Sequence, residues 1–188
     1  MPTKPTIPKD LILKNALELL IAEGYEKVNI KTIAKKIGCS TQPISWHFKN
    51  MESFRIELKN YALKYANSIM EPKENTNIFN QVKEGYIKIA YDIPNLFKYL
   101  YLDGGSKYHL GDLNDFENDS DNEMIAKKLA KIYEISLDDA KFYVENIIIY
   151  THGLLVLVTT GILTISKDEV RNRIQMISQS LLNGIKGK

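Results

Sequence analysis

Between Asn29 and Phe48 the chain carries two short helical patterns on either side of a glycine, and this segment constrains the fold more than any other. Asn29 can cap a helix over roughly Ile30 to Ile37, in which Ile33, Ala34 and Ile37 share one face. Gly38 supplies the stop. Ser40 can cap a second helix, about Thr41 to Phe48, with Pro43 in the first turn, where a missing N–H costs little. Helices this short are not stable in isolation, so both must be docked on something larger. Ile44 and Phe48, spaced i and i+4, are the docking pair. The residues between them must then face outward: Gln42, Ser45 and Trp46, with Thr41 and His47 at the flanks. The larger support is a preceding helix over about Lys9 to Glu23, with an apolar stripe of Ile12, Ala16, Leu19 and Leu20 and Gly24 as a left-handed stop.

The remainder also has helical periodicity, and no run alternates apolar and polar residues as an exposed strand would. Asn50 can cap a fourth helix reaching about Met70. After a polar break at Pro72 to Asn77, helices are predicted at about Ile78 to Asp92 and Pro94 to Leu102, then a loop rich in Gly, Asp and Asn over Asp103 to Asn122. The last three helices run about Glu123 to Tyr133, Leu137 to Gly161 and Lys167 to Ile185. Ser136 with Asp139, and Ser166 with Glu169, have capping-box-like spacing. An all-α chain of about nine helices is therefore expected. The apolar run Ile147 to Ile165 has the length of a membrane span, but it contains Tyr150, His152, Gly153 and the threonines Thr151, Thr159 and Thr160. A long helix buried on nearly all sides has the same composition, so no membrane association is expected. Cys39 is the only cysteine, which rules out an intrachain disulfide and suits a reducing, cytoplasmic setting. No signal peptide is expected, because the first apolar run, Leu11 to Ile21, is broken by Lys14, Asn15 and Glu18.

The outward face of the second short helix is polar and aromatic and carries no acid. Lys49 follows it, and Lys31, Lys35 and Lys36 precede it, so cations flank it on both sides to grip phosphates. Residues 1–65 hold 11 Lys and Arg against 6 Asp and Glu, while the rest holds 14 against 17, so the positive charge is concentrated at the head. Two short helices joined this way form the helix-turn-helix layout, whose second helix enters the major groove. Gln42 is chemically suited to bidentate reading of adenine. Nothing points to an enzyme: there is no nucleophile paired with a base, no metal constellation and no phosphate loop, and neither a cofactor nor a metal is expected. His47 has no second His or Cys at ligand spacing, and Cys39 is read as turn packing. The acidic run Asp112, Asp115, Glu117, Asp119, Asp121 and Glu123 fails as a calcium loop, since Ser120 replaces the turn glycine and Ala126 stands where a bidentate Glu should close it. A solvated loop is the better reading.

The run from Gly24 to Phe54, GYEKVNIKTIAKKIGCSTQPISWHFKNMESF, resembles the TetR family of regulators. The matching features are Gly24-Tyr25, Ile33-Ala34, Gly38, Ser40, Phe48 and Lys49, followed by Glu52 and Phe54. The resemblance implies an N-terminal DNA-binding domain over residues 1–50 and a helical effector-binding and dimerisation domain over 51–188. It implies that Thr41, Gln42 and Ser45 face base edges of a palindromic operator in double-stranded DNA, with Trp46, His47 and Lys49 nearer phosphates. Family members often carry Gly near position 42 and Tyr at 45 and 47, where this chain has Gln, Ser and His. A homodimer through the last two helices is implied, with Val170, Ile174, Ile177, Leu181 and Ile185 as an apolar stripe on the final one. The helices between head and dimer surface would enclose a partly hydrophobic small-molecule effector, with Tyr86, Phe97, Tyr101, Tyr143 and His152 as the candidate lining. The implied function is a repressor released by that effector. The alternative is a DNA-binding protein without a ligand, acting constitutively or through a protein partner.

Overall fold

The computed structural model describes residues 7–71, 78–102 and 120–187, and among these there are helices and no strands. The helices are α1 (Lys9–Glu23), α2 (Ile30–Ile37), α3 (Gln42–His47), α4 (Met51–Met70), α5 (Ile78–Asp92), α6 (Pro94–Tyr101), α7 (Ser120–Tyr133), α8 (Leu137–Thr159) and α9 (Lys167–Lys186), with a single 3-10 turn at Tyr25–Lys27. The chain divides into two compact units. One is Met1–Glu71 with Glu84–Lys107; the other is Pro72–Lys83 with Tyr108–Lys188.

In the first unit α1 is the hub, packing against α2, α3, α4 and α6. Its apolar residues Ile12, Leu13, Ala16, Leu17, Leu19 and Leu20 are all buried, which a helix contacted from several sides requires. Two reciprocal caps fix where the next helices begin. Asn29 Oδ1 accepts from the Lys31 and Thr32 N–H groups, both at 3.1 Å, while Thr32 Oγ1 accepts from the Asn29 N–H. Asn50 and Ser53 repeat the device at the start of α4, with Ser53 N–H to Asn50 Oδ1 at 2.8 Å. Gly38 closes α2 in the left-handed region (φ 78°, ψ 34°), which lets the Cys39 N–H reach back to the Ala34 carbonyl at 3.0 Å.

Two expected caps differ. Gly24 has positive φ (88°) but extended ψ (163°), so the chain leaves α1 straight into the 3-10 turn instead of through a left-handed residue. Ser40 does not cap α3. Thr41 occupies the N-cap position with helical backbone and no side-chain cap bond, and Pro43 removes one of the N–H groups such a cap would serve.

In the second unit α8 packs against both α7 and α9. It buries Ala140, Tyr143, Val144, Ile147, Thr151, Leu154, Leu155 and Thr159. Ser136 and Ser166 cap α8 and α9 as expected, each accepting from the N–H three residues on, at Asp139 and Glu169. The stripe expected to form the dimer surface of α9 is instead largely used within the chain. Val170, Ile174 and Ile185 are buried, together with Leu182, while Ile177 and Leu181 are half-buried. The packing on α8 claims that face first, because it removes the apolar area without requiring a second chain. α7 begins at Ser120, so Asp121 and Asn122 belong to a helix; the rest of the acidic run, from Asp112 to Asp119, lies outside the described residues.

A close helix approach in the first unit is made by Gly85 on α5. A Cβ there would stand 2.8 Å from Met70 Cα and 3.0 Å from the Ile69 carbonyl oxygen, both backbone atoms of α4. Gly85→Ala should therefore push α4 and α5 apart and lower stability by roughly 1–3 kcal/mol in urea unfolding, although Ala is the better helix former. An unchanged midpoint would mean that the two helices do not approach this closely.

Candidate nucleic-acid interface

α3 is held by its inward residues. Ile44 is 1% exposed and Phe48 is buried, its ring edge-on to Phe54 of α4 at 5.0 Å. The Lys9 ammonium lies 5.6 Å over the Phe48 ring and pairs with Glu57 of α4, so the start of α1, the end of α3 and α4 meet at one point. With that side anchored, Thr41, Gln42, Ser45 and Trp46 are exposed, Trp46 at 70%. An indole left in water carries a cost in apolar exposure that packing within the chain does not relieve.

His47 is half-buried, and its Nε2 lies 2.7 Å from the Ile7 carbonyl oxygen. A carbonyl only accepts, so Nε2 carries the proton and donates. The ring thereby ties the segment before α1 to the end of α3. Nothing in the local spacing signals this contact, because it joins residues 40 positions apart.

The cations around α3 divide into two groups. Lys31, Lys35 and Lys49 are exposed, and no carboxylate pairs with them among the described residues. Lys36 pairs with Glu18 of α1 at 3.1 Å and so serves the packing of α2 on α1. Cys39 is half-buried in the turn. Among the described residues no group of three His, Cys, Asp or Glu side chains is placed to hold a metal ion.

The residues expected to line an effector site fall in both units. Tyr86 of α5 and Phe97 and Tyr101 of α6 form a three-ring cluster in the first unit, with centroids 5.1–5.3 Å apart. Burial raises the hydroxyl pKa of Tyr86 well above the usual tyrosine range and that of Tyr101 to about 12, so both stay protonated and able to donate. Tyr143 and His152 lie on α8 in the second unit. Tyr143 is fully buried, shares a hydrogen bond with Ser178 of α9 and contacts the rings of Phe79 and Tyr133. His152 is half-buried, and desolvation lowers its pKa, which keeps it neutral at pH 7. Next to it, the buried Thr151 hydroxyl is without a hydrogen-bond partner among the described residues, a placement the sequence pattern did not signal.

Two contacts missed by sequence reasoning join α6 to the head. Asn95 Nδ2 donates to the Ile21 carbonyl oxygen at 3.0 Å, and the Tyr25 and Tyr99 rings are 4.8 Å apart. Both pairs are 74 positions apart in sequence.

A tri-helical head that docks a short helix by one face and offers the other, acid-free and flanked by unpaired lysines, defines a helix-turn-helix DNA-binding regulator. Residues 12–58 match the family model described as bacterial regulatory proteins, tetR family. Over 138 residues, 68% of this chain and 70% of the relative, the sequence is 22% identical to the biofilm operon icaADBC HTH-type negative transcriptional regulator IcaR of Staphylococcus aureus, in strain Newman and equally in strain NCTC 8325 / PS 47. The fold is similar to that of a single-substitution variant of TetR from Acinetobacter baumannii AYE, solved in complex with minocycline: TM-score 0.59, 14% identity, covering 96% of this chain and 97% of that one. The head, residues 12–58, is thus similar to the DNA-binding segment of the tetR family, and the fold of the chain is similar to that of TetR.

The two sides of α3 should separate in mutagenesis. Ile44→Ala should cost about 2–5 kcal/mol in chemical unfolding, the range for truncating a fully buried aliphatic side chain. Trp46→Ala should stay within about 0.5 kcal/mol of the parent while weakening DNA binding. Equal destabilisation by both would place Trp46 in the core.

Proposed function

We propose that this protein is a cytoplasmic homodimeric repressor that binds a palindromic operator through α3 and leaves it when a partly hydrophobic small molecule binds. The observation that carries the DNA-binding half is the exposed Thr41, Gln42, Ser45 and Trp46 face, held out by the buried Ile44 and Phe48. Thr41, Gln42 and Ser45 read base edges; Trp46, His47, Lys31 and Lys49 grip or adjoin phosphates. Binding should select a palindrome from a random duplex pool. Lys49→Ala should weaken binding to every duplex and lower the slope of log affinity against log salt by about one. Failure of the parent to enrich any sequence would overturn the reading; an unchanged slope in the variant would remove Lys49 from the interface.

A head this small covers one half-site, and two heads about 34–36 Å apart would cover an operator. Outward apolar residues support pairing through α8 and α9. Phe142, Ile149 and Leu157 of α8 are exposed, with the exposed Gly153 between the last two, and the spacing puts them on one face. On α9 the 68%-exposed Met176 is followed at four-residue intervals by the exposed Ser180 and Gly184, small residues that admit a close neighbour. A two-fold pairing of these faces buries them against their own copies. The double variant Ile149→Glu, Met176→Glu should sediment as a monomer and lose operator binding while keeping its helical content. A dimer that survives both charges would move the interface elsewhere.

Repression is supported by the similarity to the staphylococcal relative, a negative transcriptional regulator. Ligand response is supported by the minocycline held by the structural neighbour and by the Tyr86, Phe97 and Tyr101 cluster here. The ligand must bind the form with low DNA affinity more tightly, since equal affinity for both forms shifts nothing. α4 starts beside the head, with Phe54 against Phe48, and ends against Gly85, next to Tyr86, so it connects the two sites physically.

A further inference from the structure

We infer that Asn95 and Tyr99 of α6 clasp the end of α1, so that Asn95 is the positioning residue through which a change in the ring cluster reaches the DNA-binding head. The inference deepens the regulatory reading above and rests on it.

Ile21 lies in the last turn of α1, and its carbonyl is one of the four that a helix leaves without an internal donor. Asn95 Nδ2 supplies that donor from α6 at 3.0 Å, in a part-buried position. The side chain also stands over the exit from α1: its Oδ1 is 3.9 Å from where a Cβ on Gly24 would lie. One helical turn on, Tyr99 is buried, with its ring 4.8 Å from that of Tyr25, the first residue after that exit. The last turn of α1 and the 3-10 turn after it are thus held by two successive turns of α6, one through a polar contact and one through an aromatic one.

The other side of α6 belongs to the ring cluster. Phe97 and Tyr101, also one turn apart, contact Tyr86 at 5.3 and 5.2 Å. They are offset by two residues from Asn95 and Tyr99, about 200° around the helix, so the two pairs occupy opposite faces. α6 has only eight residues, a short plate between the ring cluster and the end of α1. A group that displaces Tyr86 or Tyr101 tilts the plate, and the tilt acts on the Ile21 carbonyl and the Tyr25 ring. α1 packs on α2 and α3, so a shift of its end is passed on to α3.

The test is a double-mutant cycle read as affinity for a palindromic duplex selected by the parent protein, with no effector needed. Asn95→Asp keeps the side-chain shape and replaces the donor by an acceptor. Tyr101→Leu alone should change affinity about fivefold or more, and by less than about twofold in the Asn95→Asp background. Amide hydrogen exchange in α1–α3 should rise in Asn95→Asp while α8 and α9 keep parental protection. Should circular dichroism show Asn95→Asp unfolded, Tyr25→Leu, which cuts the clasp from the head side, replaces it with the same expectation. Equal fold-changes for Tyr101→Leu in both backgrounds would overturn the inference, as would no effect of Tyr101→Leu in the parent. A parent that selects no duplex would overturn the regulatory reading and this inference together.

Discussion

The docking of Ile44 and Phe48 is the contact on which the head depends. α3 has six residues, too few to hold helical shape through its own hydrogen bonds. Its conformation is set by burial of those two side chains, each worth roughly 1.5–3 kcal/mol relative to exposure. Everything else at this end organises around the Phe48 ring: the Phe54 edge, the Lys9 ammonium with its partner Glu57, and the His47 bond to Ile7. The outward residues inherit a fixed direction because the inward ones have no freedom. A helix fixed in this way has no ordering cost left to meet if its outward face engages a partner.

Helix α8 poses a different physical problem. It is the one described helix long and apolar enough to cross a membrane by length and composition. Its apolar surface is divided. One part packs on α7 and α9, and another, carrying Phe142, Ile149 and Leu157, faces outward. A helix packed on two neighbours and carrying further apolar residues on a third side shows apolar residues around most of its circumference, the composition expected of a core helix.

Much of the architecture was legible because the signals are local. Asn29, Asn50, Ser136 and Ser166 cap the helices they were expected to cap, and Gly38 ends α2 as expected. Cap chemistry involves residues two to four positions apart and leaves a fixed spacing in the sequence. The outward face of α3 was legible for the same reason, since one turn separates Ile44 from Phe48. The Ser40 cap was not: Thr41 takes the N-cap position, and Pro43 leaves one N–H fewer for a cap to serve. The α9 stripe was misassigned because periodicity identifies an apolar face and not the surface that covers it.

By itself, then, the sequence determined helix positions, the docking pair of α3, the face that helix leaves outward and the family resemblance that residues 12–58 bear out. Tertiary structure alone decided which lysine is spent on packing, where His47 donates, how closely α4 and α5 approach at Gly85, and that Asn95 reaches Ile21. The reason is the range of the interactions. Helix periodicity and caps act within one or two turns, and their spacing is visible along the chain. The pairing of Lys36 with Glu18 and the bond from Asn95 to Ile21 join segments brought together only by packing, and no local pattern encodes a partner 18 or 74 residues away.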